Sequence, residues 1–137
     1  MPAITGLLET VLYVSDLPAC SAFYAEALGL PVMFESDRLN AHDCGRQGVL
    51  LLFRKGATSE DVATPGGVIP GHEGVGRLHL AFAIEAAAYD AWKQRLEGRG
   101  VAIISEVDWT RGGRSLYFHD PDGNVVELAT PGLWPNY

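Results

Sequence analysis

The chain has 137 residues, 47% hydrophobic and 20% charged: enough apolar material for a folded core and too little charge for disorder. Its formal net charge of −7 disfavours nucleic acid and anionic membrane surfaces as partners, since both are held mainly through Lys and Arg. No apolar run reaches the ~20 residues that span a bilayer, and Cys20 and Cys44 have no C-x-x-C spacing, so neither a disulfide framework nor a zinc knuckle is expected. The opening MPAITGLLET carries no basic stretch followed by an apolar core and cleavage site, which makes the cytoplasm the expected location.

Leu7–Val14 is β-branched and apolar and predicts a strand. Asp16 then caps a predicted helix carrying Phe23, Ala27 and Leu28 with Tyr24 beside them, Pro18 in its first turn and Gly29 at its end. Three short strands follow, Pro31–Glu35, Leu39–Asp43 and Val49–Phe53. Lys55–Gly76, rich in Gly, Pro and Thr, reads as a linker. The pattern then repeats: strand Arg77–Ile84, helix Ala86–Glu97 with Ala88, Trp92 and Leu96 on one stripe, and strands Val101–Val107, Gly113–His119 and Asn124–Thr130. The expected architecture is an α+β domain of two tandem βαβββ modules, about 6–54 and 77–130. Their mixed sheet would curl around a cleft, with the helices on the outer face.

Alternation along each strand sorts its side chains into two faces. Leu78, Leu80, Phe82 and Ile84 form an apolar face opposite His79, Ala81 and Ala83; Val126 and Leu128 lie opposite Glu127; Leu8, Thr10, Leu12 and Val14 lie opposite Glu9. Glu9, His79 and Glu127 thus share the faces turned away from the helices. Imidazole and carboxylate suit borderline and hard divalent metals. On alternation alone, a shared metal site and three solvated side chains both stay open.

The segments LETVLYVSDLPACSAFYAEALGL, RLHLAFAI and GGRSLYFHDPDGNVVELATPGLW resemble the vicinal-oxygen-chelate superfamily of glyoxalases, fosfomycin- and bleomycin-resistance proteins and extradiol dioxygenases. The resemblance covers both halves, and the DPDGN turn leading into a Glu-bearing strand is its most specific part. It implies a divalent ion (Mn, Fe, Zn, Ni or Mg) held by Glu9, His79 and Glu127, and a small-molecule substrate chelating that ion through adjacent oxygens. Lyase, glyoxalase-like or thiol-transfer chemistry is favoured over ring cleavage. It also implies a homodimer with sites shared between subunits.

Two departures qualify the match. Many relatives carry His where Glu9 stands, and Val49–Phe53 has leucine where Glu127 has its counterpart, so three protein ligands are expected rather than four. Tyr117 is the expected proton donor or substrate contact, with Ser115 beside it, and Arg111 and Arg114 around Gly112-Gly113 are the expected anion binders. His42 and His72 read as loop or edge residues, His72 also as a residue placed to close over the site as a lid, and Trp134–Tyr137 as an aromatic tail packed on a neighbouring surface. The alternative is a metal-free protein of the bleomycin-resistance type, whose acidic charge would suit a sequestered cationic ligand.

Overall fold

Strand β1 (Glu9–Val14) buries Leu12 and Val14 and leaves Val11 and Tyr13 half covered, as alternation dictates. The computed structural model describes residues 1–137, which divide into two compact units, Met1–Gly76 and Arg77–Tyr137. In the first unit, helix α1 (Leu17–Glu26) begins where the Asp16 carboxylate accepts the Ala19 amide at 3.0 Å, and Pro18 in the first turn has no N–H to leave unsatisfied. Gly29, at φ +70°, turns the chain out of the helix. The buried face is Leu17, Cys20, Ser21 and Tyr24, continued by Ala27 and Leu28 as expected, and Phe23 is the exception. Tyr24 is fully buried, and Phe23 is half covered and edge-on to it at 5.3 Å.

The remaining strands are β2 (Val32–Glu35), β3 (Leu39–Asp43) and β4 (Val49–Arg54), in the order β1-β4-β3-β2. Strand β1 runs parallel to β4 and the other pairs are antiparallel. Helix α1 packs on β3 and β4, where Leu50 and Leu52 are fully buried. His42, expected at a loop or edge, is fully buried within β3. Its Nδ1 lies 3.1 Å from the Leu30 carbonyl and its Nε2 3.0 Å from the Ser21 hydroxyl of α1, so both ring nitrogens are satisfied.

The stretch read as a linker contains structure of its own. A hairpin forms from β5 (Val62–Thr64) and β6 (Gly67–Ile69) around Pro65-Gly66. The chain then returns so that the His72 amide donates to the Thr58 carbonyl at 2.8 Å. The His72 ring packs against Phe53 and Tyr13, 2.6 Å from the Tyr13 hydroxyl.

The second unit repeats the order: β7 (His79–Ala83), a 3-10 turn at Ala86–Ala88, α2 (Tyr89–Gly98), β8 (Ser105–Asp108), β9 (Arg114–His119) and β10 (Val125–Ala129). Its sheet is β7-β10-β9-β8, with β7 parallel to β10. Both units thus share one strand order and one pattern of strand directions. The helix expected from Ala86 opens as a 3-10 turn, and Glu85 before it makes no side-chain cap. The strand expected from Val101 starts only at Ser105, since the Val101 amide closes the end of α2 on the Leu96 carbonyl at 2.9 Å. Leu116, Phe118, Val126 and Leu128 form the buried face of this sheet.

Helix α2 is fastened to β8 through Tyr89, whose hydroxyl donates to Glu106 Oε1 at 2.8 Å, and Lys93, whose Nζ lies 2.8 Å from Oε2. Lys93 first, then Tyr89, holds the Glu106 carboxyl below its ordinary value, while burial pushes the Tyr89 phenol up to about 12. A carboxyl depressed in the folded state stabilises above its unfolded value of 4.5 and loses that contribution as pH falls through the folded value. Glu106→Gln is therefore expected to flatten the acid limb of a plot of unfolding midpoint against pH. The effect is small because the pair is exposed to water. An equally steep limb in the variant would contradict the pairing.

Candidate functional site

The turn between β9 and β10 fixes the site's geometry. The Asp120 carboxylate accepts the amides of Asp122 and Asn124, both at 2.9 Å, and the Asn124 side-chain amide at 3.0 Å. That leaves Asn124 Oδ1 to accept the Leu78 amide at 3.1 Å, which clamps the start of β7 to the start of β10. His79 consequently lies opposite Val125, and its Nδ1–H donates to the Val125 carbonyl at 2.9 Å. With Nδ1–H so engaged, Nε2 is the ring nitrogen left to offer a lone pair, and it faces Glu127 Oε1, 3.3 Å away.

A lone pair facing a carboxylate oxygen needs a cation between them, either a proton or a metal ion. The gap is longer than the ~2.7–2.9 Å of a charged N–H···O bond. Two donors each ~2.0–2.1 Å from one ion at a tetrahedral angle lie roughly 3.3–3.4 Å apart. The donor types and their spacing therefore fit a divalent cation. Glu127 is 5% exposed whereas His79 is open to water, so such an ion would be reachable from solvent. Within the second unit no third His, Cys, Asp or Glu joins the pair.

The other Glu127 oxygen is taken. Ser115, fully buried on β9, donates its hydroxyl to Oε2 at 2.5 Å, and its Oγ accepts the Trp109 indole N–H at 2.8 Å. Tyr117 lies opposite Glu127 in the strand register, with its ring stacked on His79 at 6.3 Å. Burial first, then the charge and hydrogen bond of Glu127, push the Tyr117 phenol above its ordinary value, so it stays protonated at neutral pH.

Not every expected site residue is placed alike. Glu9 heads β1 in the first unit, exposed, opposite Val49 as His79 is opposite Val125. By the same register, Leu51 stands where Glu127 does, Ala41 where Tyr117 does and Leu39 where Ser115 does, so Glu9 has no carboxylate neighbour at that position. Arg114 lies on the face opposite Ser115 and Tyr117. Its guanidinium sits 3.8 Å above the Tyr89 ring and within 4 Å of Asp90 and Asp108, where it braces α2 against the sheet. Arg111 is exposed in the β8–β9 turn. In the tail Trp134 is exposed, while the Tyr137 hydroxyl lies between the Ile84 and Ala129 carbonyls at 3.1 and 2.8 Å. Sequence reasoning missed Trp109, whose one available signal was an aromatic donor placed just before a Gly-Gly turn.

Residues 6–128 match the family model described as the Glyoxalase/Bleomycin resistance protein/Dioxygenase superfamily. The chain belongs to that superfamily. Among curated members it is similar to metallothiol transferase FosB of Staphylococcus saprophyticus, 31% identical over 121 residues, covering 88% of this chain and 73% of the relative. It is also similar to glutathione transferase FosA of Serratia marcescens, 29% identical over 133 residues, covering 95% and 84%. Among solved superfamily structures, lactoylglutathione lyase from Agrobacterium tumefaciens matches with a TM-score of 0.89 at 34% identity, over 98% of this chain and 99% of that one. All three relatives carry enzyme names, and no helix of this chain is long and apolar enough to cross a membrane.

Proposed function

We propose that the protein is a divalent-metal-dependent enzyme that binds a small substrate through two adjacent oxygens, with thiol transfer or a glyoxalase-like lyase reaction as its chemistry. The observation that carries this reading is the oriented pair in the second unit: His79 Nε2, fixed by the Val125 carbonyl, facing Glu127 Oε1 at 3.3 Å. Glu9 is the proposed third ligand, and a homodimer with shared sites is the proposed assembly. One imidazole and two carboxylates favour Mn, Fe, Zn or Mg over soft ions. When bound, the ion supplies a Lewis acid that polarises a substrate oxygen.

The chain's own residues provide the rest. His79 offers a lone pair held in one direction, and Glu127 offers one oxygen while its other is tied down. Tyr117, neutral at working pH, is the proposed proton donor to the developing oxyanion. Arg111 is the proposed contact for an anionic substrate group. The thiol class is favoured because the named chemistry of FosB, FosA and lactoylglutathione lyase is thiol or glutathione chemistry.

The test incubates Mn²⁺-loaded protein with glutathione and either a small epoxide or an α-keto aldehyde, following loss of free thiol and formation of adduct. Metal-dependent turnover abolished by a chelator is the expected result. A protein that binds metal yet consumes oxygen with a catechol, and no thiol, would replace the thiol reading with ring cleavage.

A further inference from the structure

We infer that Trp109 and Ser115 are positioning residues, forming a one-way hydrogen-bond chain that aims the Glu127 carboxylate; the inference rests on the proposed metal role of Glu127. The chain runs from Trp109 Nε1–H to Ser115 Oγ at 2.8 Å, and from the Ser115 hydroxyl to Glu127 Oε2 at 2.5 Å. An indole N–H can only donate, whereas a serine hydroxyl can donate or accept. The polarity is fixed at both ends: the indole can only donate to Ser115 Oγ, and the ionised carboxylate can only accept the Ser115 proton. The Ser115 hydroxyl thus ties Oε2 while Oε1 faces His79 Nε2, and the Tyr117 hydroxyl also hydrogen-bonds the carboxylate.

Ser115 is fully buried, and its hydroxyl is engaged by the Trp109 indole and Glu127 and also hydrogen-bonds Tyr117, so its partners are protein groups. The indole is itself placed by backbone. The Trp109 amide donates to the Gly113 carbonyl at 2.8 Å, while the Gly112 amide donates back to the Trp109 carbonyl at 2.9 Å.

The repeat within the chain provides an internal comparison. At the matching positions of the first unit Glu127 becomes Leu51 and Ser115 becomes Leu39, and the turn Ser36–Arg38 after β2 holds no tryptophan. The indole and hydroxyl occur only in the unit that has the carboxylate. A generic need of the fold would have kept them in both.

The experiment titrates metal-free protein with Mn²⁺ by calorimetry at one pH, in wild type, Ser115→Ala, Ser115→Thr, Trp109→Phe, the Ser115→Ala/Trp109→Phe double variant and Glu127→Ala, with the folded state of each checked by circular dichroism. Loss of the orienting partner is expected to weaken Mn²⁺ by about 10- to 100-fold in Ser115→Ala and Trp109→Phe. Ser115→Thr, which keeps the hydroxyl, should stay near wild type. The Ser115→Ala/Trp109→Phe double variant should be little weaker than Ser115→Ala alone, because both break one chain. If Ser115→Ala does not fold, Trp109→Phe, which keeps an aromatic ring, carries the test. Affinity within twofold of wild type in Trp109→Phe, with Glu127→Ala unable to bind, would overturn the inference and leave the metal reading standing. A wild-type protein that takes up no Mn²⁺ would overturn both.

Discussion

Replacing Glu127 by alanine is expected to remove the divalent ion and to lower turnover by about 1000-fold or more, roughly 4 kcal/mol at ~1.4 kcal/mol per decade. The side chain is 5% exposed and carries two separate duties, Oε1 toward His79 and Oε2 under the Ser115 hydroxyl. Alanine ends both. The remaining imidazole, still tied to the Val125 carbonyl, and the proposed ligand Glu9 are then too few donors to hold an ion. The fold should survive. Deleting a buried carboxylate removes its desolvation cost, which offsets the ~1–3 kcal/mol lost when the Ser115 hydroxyl is left without its acceptor. Metal content, turnover and thermal unfolding measured on one preparation separate these effects, and unchanged turnover would refute the assignment.

Gly132→Ala is expected to be the most damaging single-methyl change to the second unit. Gly132 sits at φ +103°, where a side chain is strained, and a Cβ there would lie 2.5 Å from the Gly113 nitrogen and 3.0 Å from the Arg111 carbonyl oxygen. Neither obstacle is a flexible side chain that could swing away. The tail and the β8–β9 turn touch backbone to backbone at this point, through the Gly113 amide on the Gly132 carbonyl at 3.1 Å. Strain and overpacking of about 1–3 kcal/mol each give a combined cost of roughly 2–6 kcal/mol. That should lower Tm by ~10 °C or more in a chain of this size. The displaced turn carries Trp109, so the variant should bind metal more weakly even where it is folded. A Tm within about 2 °C of wild type would show that the turn yields more easily than its packing implies.

Much of the architecture could be read from alternation and end signals. The Asp16–Pro18 helix start, the Gly29 exit and the two-faced strands Glu9–Val14 and Val125–Ala129 are local devices, and local devices are written in neighbouring residues. The β5–β6 hairpin was hidden because strands of three residues are too short to alternate visibly. His42 was misread because burial of a histidine depends on Ser21 and Leu30, 21 and 12 residues away.

The site follows the same rule. The shared direction of His79 and Glu127 follows from strand periodicity plus the Asn124 clamp. Arg114 alternates with Ser115, so its place on the opposite face was written in the strand, but its proximity to Tyr89 and Asp90 was not. The role of Trp109 depends on a tight turn that folds its indole back over Ser115, six residues on, and no spacing rule announces that.

The most direct test of the central claim, that His79 and Glu127 hold one divalent ion, is metal content by plasma mass spectrometry. It compares the purified wild-type protein with His79→Ala and Glu127→Ala, each after addition of divalent ions and removal of the excess. Near-stoichiometric metal in the wild type, lost in both variants, is the predicted result. A wild type that retains no metal, or variants that retain it fully, would contradict the account.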